Sequence, residues 1–169
     1  MSFRLRLASD KTVMNIIFAP KSGRTRMTCR RADGTVTSAD LGPSVPAHDF
    51  AHFIVERTLR LPTGFFVNIA QGYSIQQLSD AAIIRSLGTE PLVAEILARA
   101  LGSLATGACT AGQFAELAGT ELVQMGLRVP RGVNTESAMR MLEELRSMME
   151  RFAGLGAGEY MELQFSEAP

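Results

Sequence analysis

Leu41-Gly42-Pro43-Ser44-Val45-Pro46 separates two periodicities, and the fold class follows from what stands on either side. Gly and Pro at this density end one kind of regular backbone before another begins. Immediately upstream, Thr25, Met27 and Cys29 alternate with Arg24, Arg26 and Arg30. Farther out, Met14, Ile16 and Phe18 repeat the alternation, and so do Phe3, Leu5 and Leu7 against Arg4 and Arg6. Period two is the mark of a strand with one apolar face. Ser9-Asp10-Lys11 and Pro20-Lys21-Ser22-Gly23 read as turns, and Asp33-Gly34 as a hairpin whose Gly accepts positive φ. A fourth strand then runs from Thr35 to Leu41.

Downstream the spacing is helical. It predicts helices over Ala47–Leu61, Phe65–Gln71, Pro91–Ala105, Ala111–Met125 and Glu136–Ala153. Thr110-Ala111-Gly112-Gln113 fits a capping box, Thr89-Glu90-Pro91 a helix start and Gly154 a C-terminal stop. Gly72 to Gly88 is ambiguous and leans helical over Ser79–Arg85. A last strand, Glu159–Phe165, turns Met161, Leu163 and Phe165 inward. The expectation is one α+β domain: an antiparallel β-meander of about four strands, a layer of four to five helices, and a C-terminal strand returning to the sheet beside the first strand. Its strand-rich part is residues 1–42, its helical part 46–154 and its final strand 158–166.

A chain of 169 residues is long enough to bury a core without disulfides or a structural metal. A hydrophobic share of 46% with 20% charged residues excludes disorder. Cys29 and Cys109 lack metal-type spacing and read as reduced thiols, Cys29 inward on its strand. The N-terminal alternation is not the continuous apolar stretch of a signal peptide. The most apolar segment, Leu92 to Leu104, holds Glu95 and Arg99, which suits a buried helix better than a membrane span. A cytoplasmic location with no membrane partner is therefore expected.

Both histidines fall in Pro46-Ala47-His48-Asp49-Phe50-Ala51-His52-Phe53-Ile54-Val55-Glu56. On a helix, His48, His52 and Glu56 share one stripe, with Asp49 on its flank and Arg60 continuing it. Phe50, Phe53, Ile54, Val55 and Leu59 fill most of the remaining circumference, so the helix is largely buried. Two imidazoles one turn apart can grip a divalent ion such as zinc, with Glu56 completing the set and Asp49 as a further ligand or as the group that orients an imidazole. The zinc-protease pattern has Glu where Asp49 stands, one methylene longer. A structural role is the alternative, since an acid in the first turn favours the helix dipole.

The same stretch, with Leu61-Pro62-Thr63-Gly64-Phe65-Phe66-Val67-Asn68-Ile69-Ala70-Gln71-Gly72 after it, resembles a set of small bacterial proteins of uncharacterised function. Those proteins carry a Pro-x-His-Asp-x-x-His-Phe-x-x-Glu helix and then a Gly-Phe-aromatic-Gly-x-x-Ala-x-Gly segment. The likeness spans residues 30–72, and Val67 stands where the second pattern has Gly. It implies a shared fold and supplies no established activity. It also implies that His48, Asp49, His52, Glu56, Gly64 and Phe65 form one local unit. Physically, Gly64 would end the first helix, letting Phe65 and Phe66 pack back on Phe50 or Phe53 and wall the stripe into a small pocket.

Charge is uneven. Residues 1–31 hold eight of the 17 basic side chains but one of the 17 acids. Arg4, Arg6, Arg24, Arg26 and Arg30 form a basic outer face that could meet phosphates or an acidic partner. The aromatics a single-strand reader would interleave point inward instead, and Glu162 or acids of the last helix could neutralise the face, so nucleic acid is not favoured. In the last helix, Ala138, Leu142, Leu145, Met149 and Phe152 make a heptad-like seam, widened by Met139, Met141 and Met148. It suits packing on the sheet or, through residues 138–152, a homodimer. Gly154-Leu155-Gly156-Ala157-Gly158 follows a helix and precedes a strand, the reverse of a dinucleotide loop. Three functions stand together at this point: a non-catalytic, self-associating cytoplasmic bacterial domain, a metal-dependent hydrolase-like site, and binding through the basic face.

Overall fold

The structure is a computed structural model that describes residues 13–167. The strand expected over Phe3 to Leu7, with Arg4 and Arg6, lies outside the described residues. Strands β1 (Val13–Lys21), β2 (Arg24–Arg30), β3 (Val36–Asp40) and β4 (Met161–Ser166) form one antiparallel sheet ordered β3-β2-β1-β4. Between β3 and β4 come helices α1 (Ala47–Thr58), α2 (Phe65–Ala70), α3 (Ala81–Ser86), α4 (Leu92–Ala105), α5 (Ala111–Gln124) and α6 (Thr135–Ala153). The fold is α+β, with the C-terminal strand paired to β1.

Alternation decides which sheet face is dry. Met14, Ile16, Phe18, Met27, Cys29, Met161 and Phe165 are all buried on it. Leu163 shares the face but is half-buried, since β4 is an edge strand and Leu163 lines a groove beside α6. α1 and α6 close the face. Phe50 of α1 meets Phe18 edge-on at 5.0 Å and Phe152 of α6 at 5.8 Å. Each buried Phe is worth about 1.5–3 kcal/mol from area alone. Burial also lifts the Cys29 thiol to about 12, so it stays protonated and unreactive.

The helix ends follow capping chemistry. Thr110 and Gln113 form the expected capping box of α5, and Asn134 with Ser137 forms a second one that starts α6. The ambiguous stretch resolves into a 3₁₀ turn (Gln77–Ser79) and α3, with Asp80 accepting the Ala82 and Ile83 amides between them. The reversal after α1 falls at Arg60, whose φ is +50°, and Gly64 instead opens α2.

Two arginines of the basic stretch have internal partners. Arg26 meets Asp40, its register partner on β3, at 2.8 Å. Arg31 donates to the carbonyls of Ile69 (2.6 Å) and Tyr73 (2.5 Å), tying the end of β2 to the exit of α2. Arg24 and Arg30 stay exposed. Among the described residues, the acid that meets this face is Asp40, because strand pairing sets it across from Arg26, while Glu162 faces Ile17 in the register.

The α6 seam is spent largely inside the chain. Ala138, Leu145 and Phe152 are buried, and Met139 points outward at 59% exposure. Among the described residues, no helix is long and apolar enough to cross a membrane.

Candidate metal centre

α1 sets up the site through its own periodicity. Residues 50–56 are all buried, so any polar side chain among them must find a partner or lose its hydration unrepaid. Two such groups occur, His52 and Glu56, and they partner each other. His52 Nδ1 lies 3.0 Å from Glu56 Oε1, a contact made possible by their four-residue spacing.

Glu56 does more than hold the ring. Its carboxylate accepts from three successive amides at the start of α2: Phe65 N at 2.8 Å, Phe66 N at 2.9 Å and Val67 N at 3.0 Å. These amides have no partner inside α2, and the positive end of the helix favours the acid. Glu56 is thus the N-terminal cap of α2, supplied from the neighbouring helix. Gly64 makes the approach feasible. A methyl group there would stand 2.7 Å from Glu56 Oε2 and 2.8 Å from its Cγ. That carboxylate is fixed by four hydrogen bonds and cannot give way. Gly64→Ala is therefore expected to lower stability by about 1–3 kcal/mol, as overpacking does. A chemical-denaturation midpoint equal to wild type would contradict it.

With Nδ1 held by Glu56, His52 aims Nε2 at Glu95 Oε2, 3.0 Å away, in the first turn of α4. His48, one turn earlier, places Nε2 3.4 Å from the same oxygen. The two imidazoles stand edge to face with centroids 4.8 Å apart. The ligand atoms of His48, His52 and Glu95 all lie within 4.8 Å of one another. In a tetrahedral zinc site with bonds of about 2.0–2.1 Å, donors sit roughly 3.3 Å apart. Both contacts to Glu95 already have that scale. The remaining adjustment falls to His48, the most exposed of the three.

The site's protons follow its neighbours. Burial alone would lower the His52 pKa, but hydrogen bonds to Glu56 and Glu95, with their charges, outweigh it and hold the ring at about 9. The hydrogen bond to His52 pulls Glu95 down to about 2, against the opposing pull of its partial burial. Burial pushes the Asp49 carboxyl up, against the attraction of His48 and His52. A raised histidine gives stability that is complete below the unfolded value near 6.5 and is lost as pH climbs through about 9. A depressed carboxylate gives stability that is complete above its usual 4.5 and is lost as pH falls through about 2. The metal-free protein should therefore melt highest between about pH 5 and 6.5 and lose stability toward pH 9. In His52→Gln the alkaline loss should disappear; its persistence in thermal melts would assign the loss to another group.

Of the residues the sequence singled out, His48 and His52 converge, and Asp49 faces the same cavity without joining the converging set. Glu56 sits behind His52, saturated by α2. The third converging donor is Glu95. Gly64 and Phe65 line the cavity. Phe50, Phe53 and Phe66 do not, because α1 turns Phe50 and Phe53 away from the histidines. Those two join Phe18, Phe152 and Phe165 in the core, where Phe66 stacks edge-on to Phe53 at 6.3 Å. The cavity in front of the histidines measures about 370 Å³, and its far wall comes from the 3₁₀ turn, α3 and the start of α4. A carboxylate stranded in the apolar run Leu92 to Leu104 was the available signal for Glu95. Comparison with protein-family models, with curated proteins and with solved structures finds no match to this chain.

Proposed function

We propose that this protein binds a divalent metal ion, with zinc the best suited, through His48 Nε2, His52 Nε2 and a Glu95 oxygen. The observation that carries the reading is the buried Glu56–His52 contact, which leaves Nε2 facing His48 and Glu95. A carboxylate behind a ligating imidazole fixes its ring orientation and tautomer and raises its basicity. Two imidazoles and one carboxylate are also a donor set in which zinc keeps a position open for water or substrate. Hydrolase-like chemistry is compatible with that open position. Binding must displace the proton His52 holds below about pH 9, so affinity should fall as the solution is acidified.

Protein equilibrated with zinc at about pH 8 and freed of excess should retain one ion per chain. Retention below about a tenth of an equivalent, with no response to manganese, would overturn the reading.

A second reading, self-association, is favoured by exposed apolar side chains on α5 and α6. Leu117 is 57% exposed, Val123 66% and Met139 59%. A dimer seen by light scattering and dispersed by Met139→Glu would support it. A monomer at high concentration would remove it.

A further inference from the structure

The lining of the cavity before the histidines is of two kinds. Its polar part is the three donors, Asp49 and Asn68 of α2. Asn68 is buried, at 4% exposure. Its Oδ1 accepts from Thr63 Oγ1 at 3.3 Å, while its Nδ2 meets no acceptor among the described residues and keeps access to solvent on a side chain that lines the cavity. An amide N–H held by a buried residue and open to solvent is a directed donor that a bound molecule can meet. Its apolar part is Phe65, whose ring centroid is 6.0 Å from that of His52, with Leu78, Ile84, Leu87 and Leu92. α3 carries no buried residue, and Ile84 is 44% exposed at the rim, so this wall is poorly covered by the protein itself.

We propose that the cavity receives a small acyl compound: an apolar chain ending in a carbonyl-type oxygen. The chain lies among Leu78, Ile84, Leu87 and Leu92, and the oxygen sits on the metal's open position while accepting from Asn68 Nδ2. This inference rests on the metal reading. The carbonyl-type oxygen follows from Asn68, since Nδ2 can only donate and pairs with an acceptor. The apolar requirement follows from the α3–α4 wall, which gains nothing from a polar tail. Asp49, which also lines the cavity, can accept a hydrogen bond from an N–H or O–H beside the carbonyl.

The test uses the full chain loaded with cobalt(II), whose visible spectrum reports its ligands, and titrates it with alkyl hydroxamates from acetohydroxamate to hexanohydroxamate. Each buried methylene contributes up to about fourfold in affinity, so the longest probe should bind more than about tenfold tighter than the shortest. Ile84→Asp should flatten that dependence while leaving the metal-loaded spectrum unchanged, and Asn68→Ala should weaken all the hydroxamates alike. Cobalt binding with no dependence on chain length, or removal of the metal by every probe equally, overturns the acyl proposal and leaves the metal centre standing. Failure to bind cobalt at all overturns both.

Discussion

Glu56→Ala is expected to lower stability by about 3–5 kcal/mol, the range for removing one partner from a buried charged pair. The substitution strands the Phe65, Phe66 and Val67 amides at the start of α2 and leaves His52 without its inner partner. Each unsatisfied buried group costs about 1–3 kcal/mol, so the groups together reach that range even if water recovers part of the loss. For a chain of this size the melting temperature should fall by roughly 6–20 °C. Glu56→Gln keeps the volume and one acceptor oxygen but sets an N–H against the amides, so it should fall between wild type and Glu56→Ala. Differential scanning calorimetry checks both. A loss below about 1 kcal/mol for the alanine variant would mean that the α2 amides are satisfied in another way.

Zinc affinity should separate the acids of the site by rank. Glu95→Gln removes the converging carboxylate and should weaken binding by more than about a hundredfold, beyond the 10–100-fold typical of groups that only orient a ligand. Glu95 is partly exposed, at 43% for its side chain, and its pair with His52 is screened by solvent, so the fold should survive. Glu56→Gln should fall within that 10–100-fold range, because it acts through the orientation of His52. Asp49→Asn should change affinity by less than about fivefold, since its carboxyl is outside the converging set. Competition with a chromophoric zinc chelator gives all three numbers. Equal losses at Asp49 and Glu95 would show that the ion sits nearer the start of α1 than Glu95 allows.

Much of the fold is legible in the sequence. Alternation at Met14, Ile16 and Phe18 and at Thr25, Met27 and Cys29 chose the dry sheet face, because period two leaves a strand no other way to bury one side. The four-residue ladder likewise put both imidazoles on one stripe of α1. What local pattern could not supply was the partner of each polar group. Glu56 shares the stripe with the histidines, and only the return of α2 shows that its oxygens are taken by amides. Glu95 is 43 residues beyond His52, and its convergence depends on how α4 packs against α1. Arg31 reads as one more charge of a basic stretch until Ile69 and Tyr73 are seen to offer their carbonyls. Phe50 and Phe53 read as pocket walls from sequence because helical spacing gives a face without saying what lies beyond it.

Crystals soaked with zinc, with diffraction data collected on both sides of its absorption edge, test the metal centre most directly. A single anomalous peak about 2.0–2.2 Å from His48 Nε2, His52 Nε2 and a Glu95 oxygen, with Glu56 still on His52 Nδ1, is the expected result. No peak at these atoms, or a peak held by other side chains while His52 stays hydrogen-bonded to Glu95, would contradict it.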